Sequence, residues 1–143
     1  MRLNVQTDYA LRLLMRLALT PDRLVTIAEV AEAYGISRNH LTKVALHLTR
    51  CGFVESVRGR SGGLRLCGAP EDVRVGDVVG AVEADFALVE CFRPQTSHCV
   101  IGPACTLRGA LAAAAEAFIA ALNAYTLADL VEGRREMAAL LSV

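Results

Sequence analysis

The features that the sequence lacks already exclude several classes of protein. The longest apolar stretch, residues 110–121, is alanine-rich and broken by Glu116, so no segment is long and apolar enough to span a membrane. The N-terminal residues do not form a signal-peptide pattern, because Asp8, Arg12 and Arg16 interrupt the hydrophobic positions at helical intervals. We therefore expect a cytoplasmic protein without a membrane partner. Cysteines in that compartment serve more often as ligands or redox groups than as disulfides.

Signatures of catalysis are also missing. The sequence contains no Gly-x-Ser-x-Gly element, and no histidine or carboxylate is positioned to activate one of its five cysteines. The glycine-rich segment 58–63 is not a nucleotide-phosphate loop, because no Gly-Lys-Ser/Thr follows it. We therefore predict that the protein is not an enzyme.

The formal net charge is zero, but the charge is unevenly distributed along the chain. Residues 1–70 contain ten Lys/Arg and five Asp/Glu, a net charge of +5. Residues 71–143 contain five Lys/Arg and ten Asp/Glu, a net charge of −5. A basic half joined to an acidic half suggests that the first half contacts a polyanion.

The first predicted helix covers residues 7–19. On its polar face, Asp8 is a first-turn acid that favours the helix dipole and pairs with Arg12, one turn further on. Arg16 extends this polar stripe by another turn. From the residues alone, Asp8 is therefore interpreted as an ordinary helix-stabilising acid.

The next segment predicts a helix-turn-helix. Thr26 and Glu29 form a capping box at the start of the second helix, which Gly35 ends. After this tight turn, Ser37 caps the third helix, which Gly52 ends. Alternating residues then predict a hairpin of strands 53–57 and 64–66 with a basic, glycine-rich tip. A helix-turn-helix followed by a basic hairpin is the winged-helix layout, typical of DNA-binding proteins.

The residues expected to contact DNA are hydroxyl, amide, basic and glycine residues of the helix-turn-helix and the hairpin tip. The alternative for the helix is an ordinary solvated face, which the neighbouring basic hairpin makes less favourable. The predicted contacts are Thr26, Ser37, Arg38, Asn39, His40, Lys43, Arg58, Arg60, Ser61 and Gly62, with His47 and Arg50 on the same outward face. Cys51 and Cys67 flank the hairpin in apolar surroundings and are expected to be small core residues.

The second half predicts a short helix from residue 75 and a long amphipathic helix from Thr106, whose apolar stripe spans about five turns. A long amphipathic helix after a DNA-reading head is most simply a dimer interface, and dimeric heads read palindromic sites. Packing against its own domain is the alternative. Thr126 and Asp129 start another short helix, and residues 137–141 form an apolar tail. We divide the chain into a DNA-binding domain, residues 1–75, and a second region, residues 76–143, that holds a cysteine-bearing loop and the dimerisation helices.

Cys91, Cys99 and Cys105 are spaced C-x7-C-x5-C in a segment that resembles a loop. Gly102 and Pro103 prevent a helix in the last interval, so the three sulfurs can converge. Cys105 lies at a helix N-terminus, which favours a thiolate or an anionic cluster.

Four kinds of site compete for these cysteines. Structural zinc usually needs a C-x2–4-C pair, which is absent, and His98 adjoins Cys99 too closely to complete such a site well. A redox switch needs only two cysteines, and a loop of this composition is a poor place for buried inert thiols. An iron–sulfur cluster takes thiolates from an irregular loop and accepts one non-cysteine ligand. Spacing alone ranks it first.

Six motifs in order resemble the bacterial winged-helix iron–sulfur regulators, in particular their nitric-oxide-sensing repressors. The resemblance covers essentially the whole chain. The motifs are TDYALR at residues 7–12, GISRNH at 35–40, RGRSGGLR at 58–65, GDVV at 76–79, the cysteine segment 99–105, and YTLADL at 125–130.

This resemblance implies a mainly α fold with a small β-hairpin: a winged helix-turn-helix domain, a long dimerisation helix and a cysteine-bearing cluster loop. It implies a homodimeric repressor that binds a palindromic operator in double-stranded DNA and carries one iron–sulfur cluster of the 4Fe–4S type per subunit. Nitric oxide would attack the cluster and release the DNA. Cys91, Cys99 and Cys105 match the family's ligands, and the fourth ligand matches Asp8 of the partner subunit. If Asp8 loses its bond to iron, our hypothesis is that Arg12, one turn further on, steadies or reclaims the freed carboxylate.

Other functions stay open. A regulator that senses iron or iron–sulfur supply, as IscR does, would use the same fold, although Arg108 stands where that regulator has a histidine ligand. A zinc or thiol-redox regulator on the same fold is a further alternative. A simple electron carrier is disfavoured, because electron transfer does not require the basic hairpin or the basic third helix.

Overall fold

The computed structural model describes residues 3–83, 86–93, 95–133 and 135–141. Within them, the chain is mainly helical with one β-hairpin, as predicted. The elements are α1 (Val5–Ala18), α2 (Ile27–Tyr34), α3 (Arg38–Arg50), β1 (Val54–Val57), β2 (Gly63–Leu66), α4 (Val75–Val82), α5 (Thr106–Leu122), α6 (Leu127–Val131) and α7 (Arg135–Leu140). Short 3-10 turns cover Pro70–Asp72, Glu90–Phe92 and Gly102–Ala104.

Helices α2 and α3 form the predicted helix-turn-helix. The Thr26 hydroxyl accepts a hydrogen bond from the Glu29 amide, and the Glu29 carboxylate accepts one from the Thr26 amide. Gly35 ends α2 with a φ of 64°, a left-handed conformation that glycine adopts without steric cost. Ser37 occupies the N-cap of α3, but its side chain makes no capping hydrogen bond within the described residues. The turn is therefore set by the cap of α2 and by Gly35.

The wing is the hairpin of β1 and β2, which pair antiparallel with Val54 opposite Leu66 and Val57 opposite Gly63. A third extended residue joins it. Val25 pairs with Leu64, with N···O distances of 3.0 and 2.8 Å between the two backbones. The start of the helix-turn-helix is thus hydrogen-bonded to the base of the wing, a link that the sequence pattern did not predict.

Helix α1 lies at the centre of the core. Its buried residues contact α3, α4 and α6, so both halves of the chain contribute to one hydrophobic cluster. Val78 of α4 is 1% exposed and Leu127 of α6 is 2% exposed. The helix-turn-helix therefore packs on the same core as α4, the helix that leads into the cysteine segment.

Two expectations about burial are wrong. Arg16 was expected on a polar stripe, but it is 2% exposed. It lines a cavity of about 410 Å³ together with Glu29 and Glu32 of α2 and with Leu140 and Leu141 near the C-terminus. Cys51 and Cys67 were expected in the core, but both are exposed. Cys51 is the C-cap of α3 and Cys67 follows β2, so both lie at the solvent-facing base of the wing.

Helix α5 has no buried residue in the single chain. One end contacts α4, where the Asn123 amide donates to Asp77 at 3.0 Å, and the ring centroids of Phe118 and Phe86 are 5.9 Å apart. Much of the predicted apolar stripe faces outward: Leu107 is 61% exposed. No helix in the described ranges is long and apolar enough to cross a membrane.

Candidate functional site

The N-terminal half of α3 presents the predicted DNA contacts to solvent. Leu41, Val44 and Leu48 are buried against the core, which turns the opposite face outward. Donors on the N-terminal half of such a helix suit phosphates and base edges in a major groove. The exposed side chains of this face are Ser37, Arg38, Asn39, His40 and Lys43.

Thr26, a predicted DNA contact, also caps the N-terminus of α2. Its hydroxyl donates to a Glu29 carboxylate oxygen at 2.9 Å and accepts from the Glu29 amide at 3.2 Å. The hydrogen bond from the Thr26 amide, followed by those of the Thr26 hydroxyl and Arg23, lowers the pKa of Glu29 to about 2 against opposing desolvation. Glu29 is thus ionised at neutral pH and holds Thr26 at the start of α2.

The arginines of the wing fall into two groups, one that is ion-paired and one that is not. Arg65 is bound to Glu55, with 2.9 Å between Nε and Oε2, and this hydrogen bond lowers the pKa of Glu55. Arg58 and Arg60 are exposed and form no ion pair within the described residues. The tip therefore offers two unpaired cations at the point predicted to meet the DNA backbone.

Gly62 was predicted as a DNA contact, and the structure adds a steric reason for glycine at this position. A Cβ atom on Gly62 would overlap the carbonyl oxygen of Val57 and lie 3.0 Å from that of Gly59. The Gly62 amide donates to the same Gly59 oxygen at 3.0 Å, which closes the turn. Ser61, beside it, is exposed.

His40 and His47 connect α3 to other helices, which sequence reasoning missed. The His40 ring stacks on Tyr9 of α1, with centroids 6.3 Å apart and planes 30° apart. His47 Nε2 lies 3.1 Å from the carbonyl oxygen of Ala81 in α4. A carbonyl oxygen can only accept, so Nε2 carries the proton in this contact. Neither link has a local sequence signal, because the partners lie more than 30 residues apart.

The three cysteines of the segment between α4 and α5 are each half-buried. Cys91 lies in the turn Glu90–Phe92, and Cys105 is the N-cap of α5. The turn Gly102–Ala104 interrupts the last interval, as Gly102 and Pro103 predict. The Cys99 amide donates to the Ser97 hydroxyl at 3.4 Å. The predicted irregular segment is therefore confirmed.

Within the described residues, no three His, Cys, Asp or Glu side chains are grouped closely enough to share a metal ion. The chemistry of the donors nevertheless suits an iron–sulfur cluster. Three partly accessible thiols in an irregular segment are the soft ligands that such clusters take. The set supplies three sulfurs, so a fourth ligand would have to come from elsewhere.

Asp8, the residue predicted to complete this set, forms an ion pair with Arg12. The Nη2–Oδ2 distance is 2.9 Å, and Nε donates to Oδ1 at 3.0 Å. The Arg12 guanidinium also lies over the Tyr34 ring, 5.9 Å from its centroid. The pairing of Asp8 with Arg12 that the helical spacing predicts is confirmed. The ligand role of Asp8 stays a prediction.

Glu83, at the C-terminal end of α4, was not predicted from the sequence. Its Oε2 accepts hydrogen bonds from the Thr7 hydroxyl at 2.6 Å and from the Asn4 amide at 3.1 Å. Thr7 is fully buried and directly precedes Asp8. The carboxylate thus binds the N-terminus of α1 to the point where the chain enters the cysteine segment.

The fold and the basic exposed face define a winged helix-turn-helix regulator of transcription. A profile of the Rrf2 family, described as "Iron-dependent Transcriptional regulator", matches residues 3–133. The chain belongs to this family.

The similarity to individual family members extends over the full length. The chain is 46% identical over 144 residues to the HTH-type transcriptional regulator NsrR of Halalkalibacterium halodurans, with 100% of this chain and 99% of that one covered. Identity and coverage are the same for NsrR of Bacillus subtilis. The resemblance inferred from the six motifs is therefore confirmed.

Solved structures with this fold include two regulators. T. potens IscR matches with a TM-score of 0.75 at 23% identity, over 95% of this chain and 90% of that one. CymR, the global cysteine regulator of B. subtilis, matches with a TM-score of 0.72 at 22% identity, over 92% and 96%. At these identities the matches establish the winged-helix fold.

Proposed function

We propose that the protein is a homodimeric repressor that binds a palindromic operator and releases it when nitric oxide reacts with an iron–sulfur cluster. The observation that carries this proposal is the full-length similarity to NsrR regulators, at 46% identity over 144 residues. The resemblance of the six motifs to nitric-oxide-sensing repressors implies nitric oxide as the signal. The basic wing, the exposed face of α3 and the three-thiol segment supply the parts that this function needs.

On DNA, α3 would enter the major groove with its N-terminal half, and the wing would follow the backbone. Arg58 and Arg60 form no ion pair with any residue that the structure describes and would be available for phosphates, whereas Arg65 is paired with Glu55. Two heads related by a two-fold axis read half-sites about one helical turn apart, so the operator is expected to be palindromic.

A second copy of this chain is the proposed partner of α5. Val100 is 92% exposed, Ile101 62% and Leu107 61%. Apolar side chains of the cysteine segment and of α5 are therefore exposed to solvent in the single chain. An apolar groove of about 470 Å³ lies between the end of α4 and the C-terminal half of α5, and Gly80, Phe86 and Ile119 are among the residues that line it. Covering this surface would bring one subunit's cysteine segment next to its partner.

The cluster, of the 4Fe–4S type, would be held by Cys91, Cys99 and Cys105 with Asp8 of the partner subunit, one per subunit. When bound, it supplies iron that reacts with nitric oxide. A hard carboxylate oxygen among soft sulfurs is the replaceable ligand of such a set. Arg12 lies within ion-pair distance of Asp8, so a released carboxylate has a counter-charge ready on its own helix.

Anaerobic purification followed by gel shifts tests this proposal. We expect a brown protein that absorbs at about 400 nm, as thiolate-ligated iron does, and that releases its operator on titration with nitric oxide. Cys99→Ser should abolish both properties. The exposed thiols outside the segment provide matched controls, and Cys51→Ser and Cys67→Ser should retain them. A colourless protein with stoichiometric zinc would contradict the proposal.

A regulator of iron or cluster supply is the second candidate, favoured by the family description as iron-dependent. The same samples separate the two functions. Release of DNA on iron chelation, with no response of the loaded protein to nitric oxide, would favour supply sensing. Release by nitric oxide at constant iron supply would favour the first function.

A further inference from the structure

The C-terminal end of α4 contacts two functional parts of the molecule within three residues. On one side, the Ala81 carbonyl accepts a hydrogen bond from His47 Nε2 of α3 at 3.1 Å. On the other side, the Glu83 carboxylate accepts from Thr7 at 2.6 Å and from Asn4 at 3.1 Å. Residues 81–83 therefore bridge the DNA-reading helix and the helix that carries Asp8.

The chain continues from this bridge directly into the cysteine segment. Glu83 is the C-cap of α4, where its amide donates to the Val79 carbonyl at 2.8 Å, and the turn of Cys91 begins seven residues further on at Glu90. Val78 and Val82 of α4 are buried in the core cluster, so the helix is fixed to α1 by packing. On its N-terminal side, the cysteine segment is thus joined to the core through the Glu83 end of α4.

We infer that Glu83, Thr7 and His47 are positioning residues that couple the cysteine segment to the operator-binding face of α3. The inference rests on the proposed function. Glu83 holds the turn of α1 that presents Asp8, and His47 holds α3 against the same end of α4. These are discrete hydrogen bonds on rigid helices, the kind of link through which a site biases another.

Of the two hydrogen bonds, the one between Glu83 and Thr7 is expected to contribute more to this coupling than the one between His47 and Ala81. Its acceptor is a carboxylate, its donor Thr7 is fully buried, and its length is 2.6 Å. Bonds to charged groups in such surroundings are stronger than neutral ones and more costly to leave unmade. The stacking of Tyr9 on His40 gives α1 an additional direct contact with α3.

The test compares how much the cluster changes operator affinity in each variant. Thr7→Val removes the hydroxyl but keeps the buried shape, and Thr7→Ser restores the donor. His47→Phe removes the donor to Ala81, and His47→Gln restores one. Thr20→Val removes a hydroxyl just after α1 whose hydrogen bonds, within the described residues, are to Arg16, and it serves as the matched control. Each variant is measured with and without the cluster.

We expect Thr7→Val and His47→Phe to reduce the ratio of cluster-free to cluster-loaded Kd by about tenfold, within the usual range of allosteric coupling. Thr7→Ser, His47→Gln and Thr20→Val should retain the ratio. Iron per subunit and the urea midpoint, measured alongside, separate lost coupling from lost folding. If Thr7→Val does not fold, Glu83→Met interrupts the same bond from its less buried side.

An unchanged ratio in Thr7→Val and His47→Phe, with a responsive wild-type protein, would overturn this inference and leave the proposed function intact. A wild-type protein that binds no cluster, or binds DNA equally well with and without it, would overturn both.

Discussion

Asp8 and Arg12, one turn apart on α1, form a two-point ion pair, with 2.9 Å between Nη2 and Oδ2 and 3.0 Å between Nε and Oδ1. Both carboxylate oxygens are therefore engaged by Arg12. An Asp8 that ligates iron in the partner subunit would share its carboxylate charge between the metal and this guanidinium. The guanidinium and the iron would compete for one carboxylate, so Arg12 favours the state in which Asp8 is released.

In Arg12→Gln, more nitric oxide should be needed to release the repressor from its operator. Without the competing cation, Asp8 stays with iron, and the midpoint of a nitric oxide titration should rise. The pair is half-exposed, with 44% and 46% of the two side chains accessible. Such pairs contribute up to about 1 kcal/mol, which corresponds to at most about a fivefold shift. Gel shifts under anaerobic titration measure it.

Arg12 also contacts the Tyr34 ring, so Tyr34→Leu is the control. It removes the cation–π contact, keeps the ion pair and should leave the titration midpoint near that of the wild type. A lower midpoint in Arg12→Gln would contradict the competition.

The wing provides a prediction about DNA contacts. Arg60→Ala should weaken operator binding across sequences and lower the slope of log affinity against log salt by about 0.9, the value for one phosphate contact. Arg65→Ala is the matched control, because its side chain is paired with Glu55 at 2.9 Å and should change the slope less. Equal slopes for wild type and Arg60→Ala would remove Arg60 from the DNA contacts.

The helix-turn-helix and the wing are predictable because their signals are local. The Thr26–Glu29 capping box and Gly35 determine the turn through hydrogen bonds and a backbone conformation that involve only near neighbours. The irregular segment before Cys105 follows from Gly102 and Pro103 for the same reason.

The links between these elements are not predictable in this way. Glu83 binds Thr7 across 76 positions, and His47 binds the Ala81 carbonyl across 34. No periodicity connects such partners, because their proximity depends on how whole helices pack. The three thiols are a similar case. Their spacing along the chain allows the sulfurs to converge, but within the described residues the single chain does not group them closely enough to share a metal ion.

Arg16 illustrates the same limit and leads to a stability prediction. Helical spacing placed it on a polar stripe, but in the folded chain it is buried and lines a cavity with residues of α2 and with Leu140 and Leu141. Its Nη1 donates to Thr20 at 3.2 Å, while Nε has no hydrogen-bond partner within the described residues. Burial, followed by the nearby charge of Arg23, lowers the pKa of Arg16. The guanidinium is thus poorly compensated for its lost hydration.

Arg16→Met should therefore leave the free energy of unfolding unchanged or raise it by up to about 2 kcal/mol, because an apolar chain of similar length fills the site without desolvating a charge. Urea unfolding of the cluster-free protein measures this. Arg23→Met is the control: Arg23 is 48% exposed and pairs with Glu29, so its loss should cost at most about 1 kcal/mol. A marked loss of stability in Arg16→Met would show that the buried cation is needed.

The capping box of α2 predicts a pH dependence. The pKa of Glu29 falls from its usual 4.5 to about 2 in the folded protein. A depressed pKa means that the carboxylate contributes stability above about pH 4.5 and loses it progressively as the pH falls towards 2. In Glu29→Gln, glutamine can retain the capping box without titrating. Between about pH 5 and about pH 3, the urea midpoint of the wild type should thus fall more steeply than that of Glu29→Gln.

Arg23→Met separates the causes of this pH dependence. The largest one is the hydrogen bond from the Thr26 amide, and the contributions of Arg23 are smaller. Removing Arg23 should therefore reduce the difference in slope without abolishing it. Parallel pH profiles for wild type and Glu29→Gln would mean that the carboxylate is not held by the helix start. A difference that vanishes in Arg23→Met would assign the low pKa to the ion pair instead of the cap.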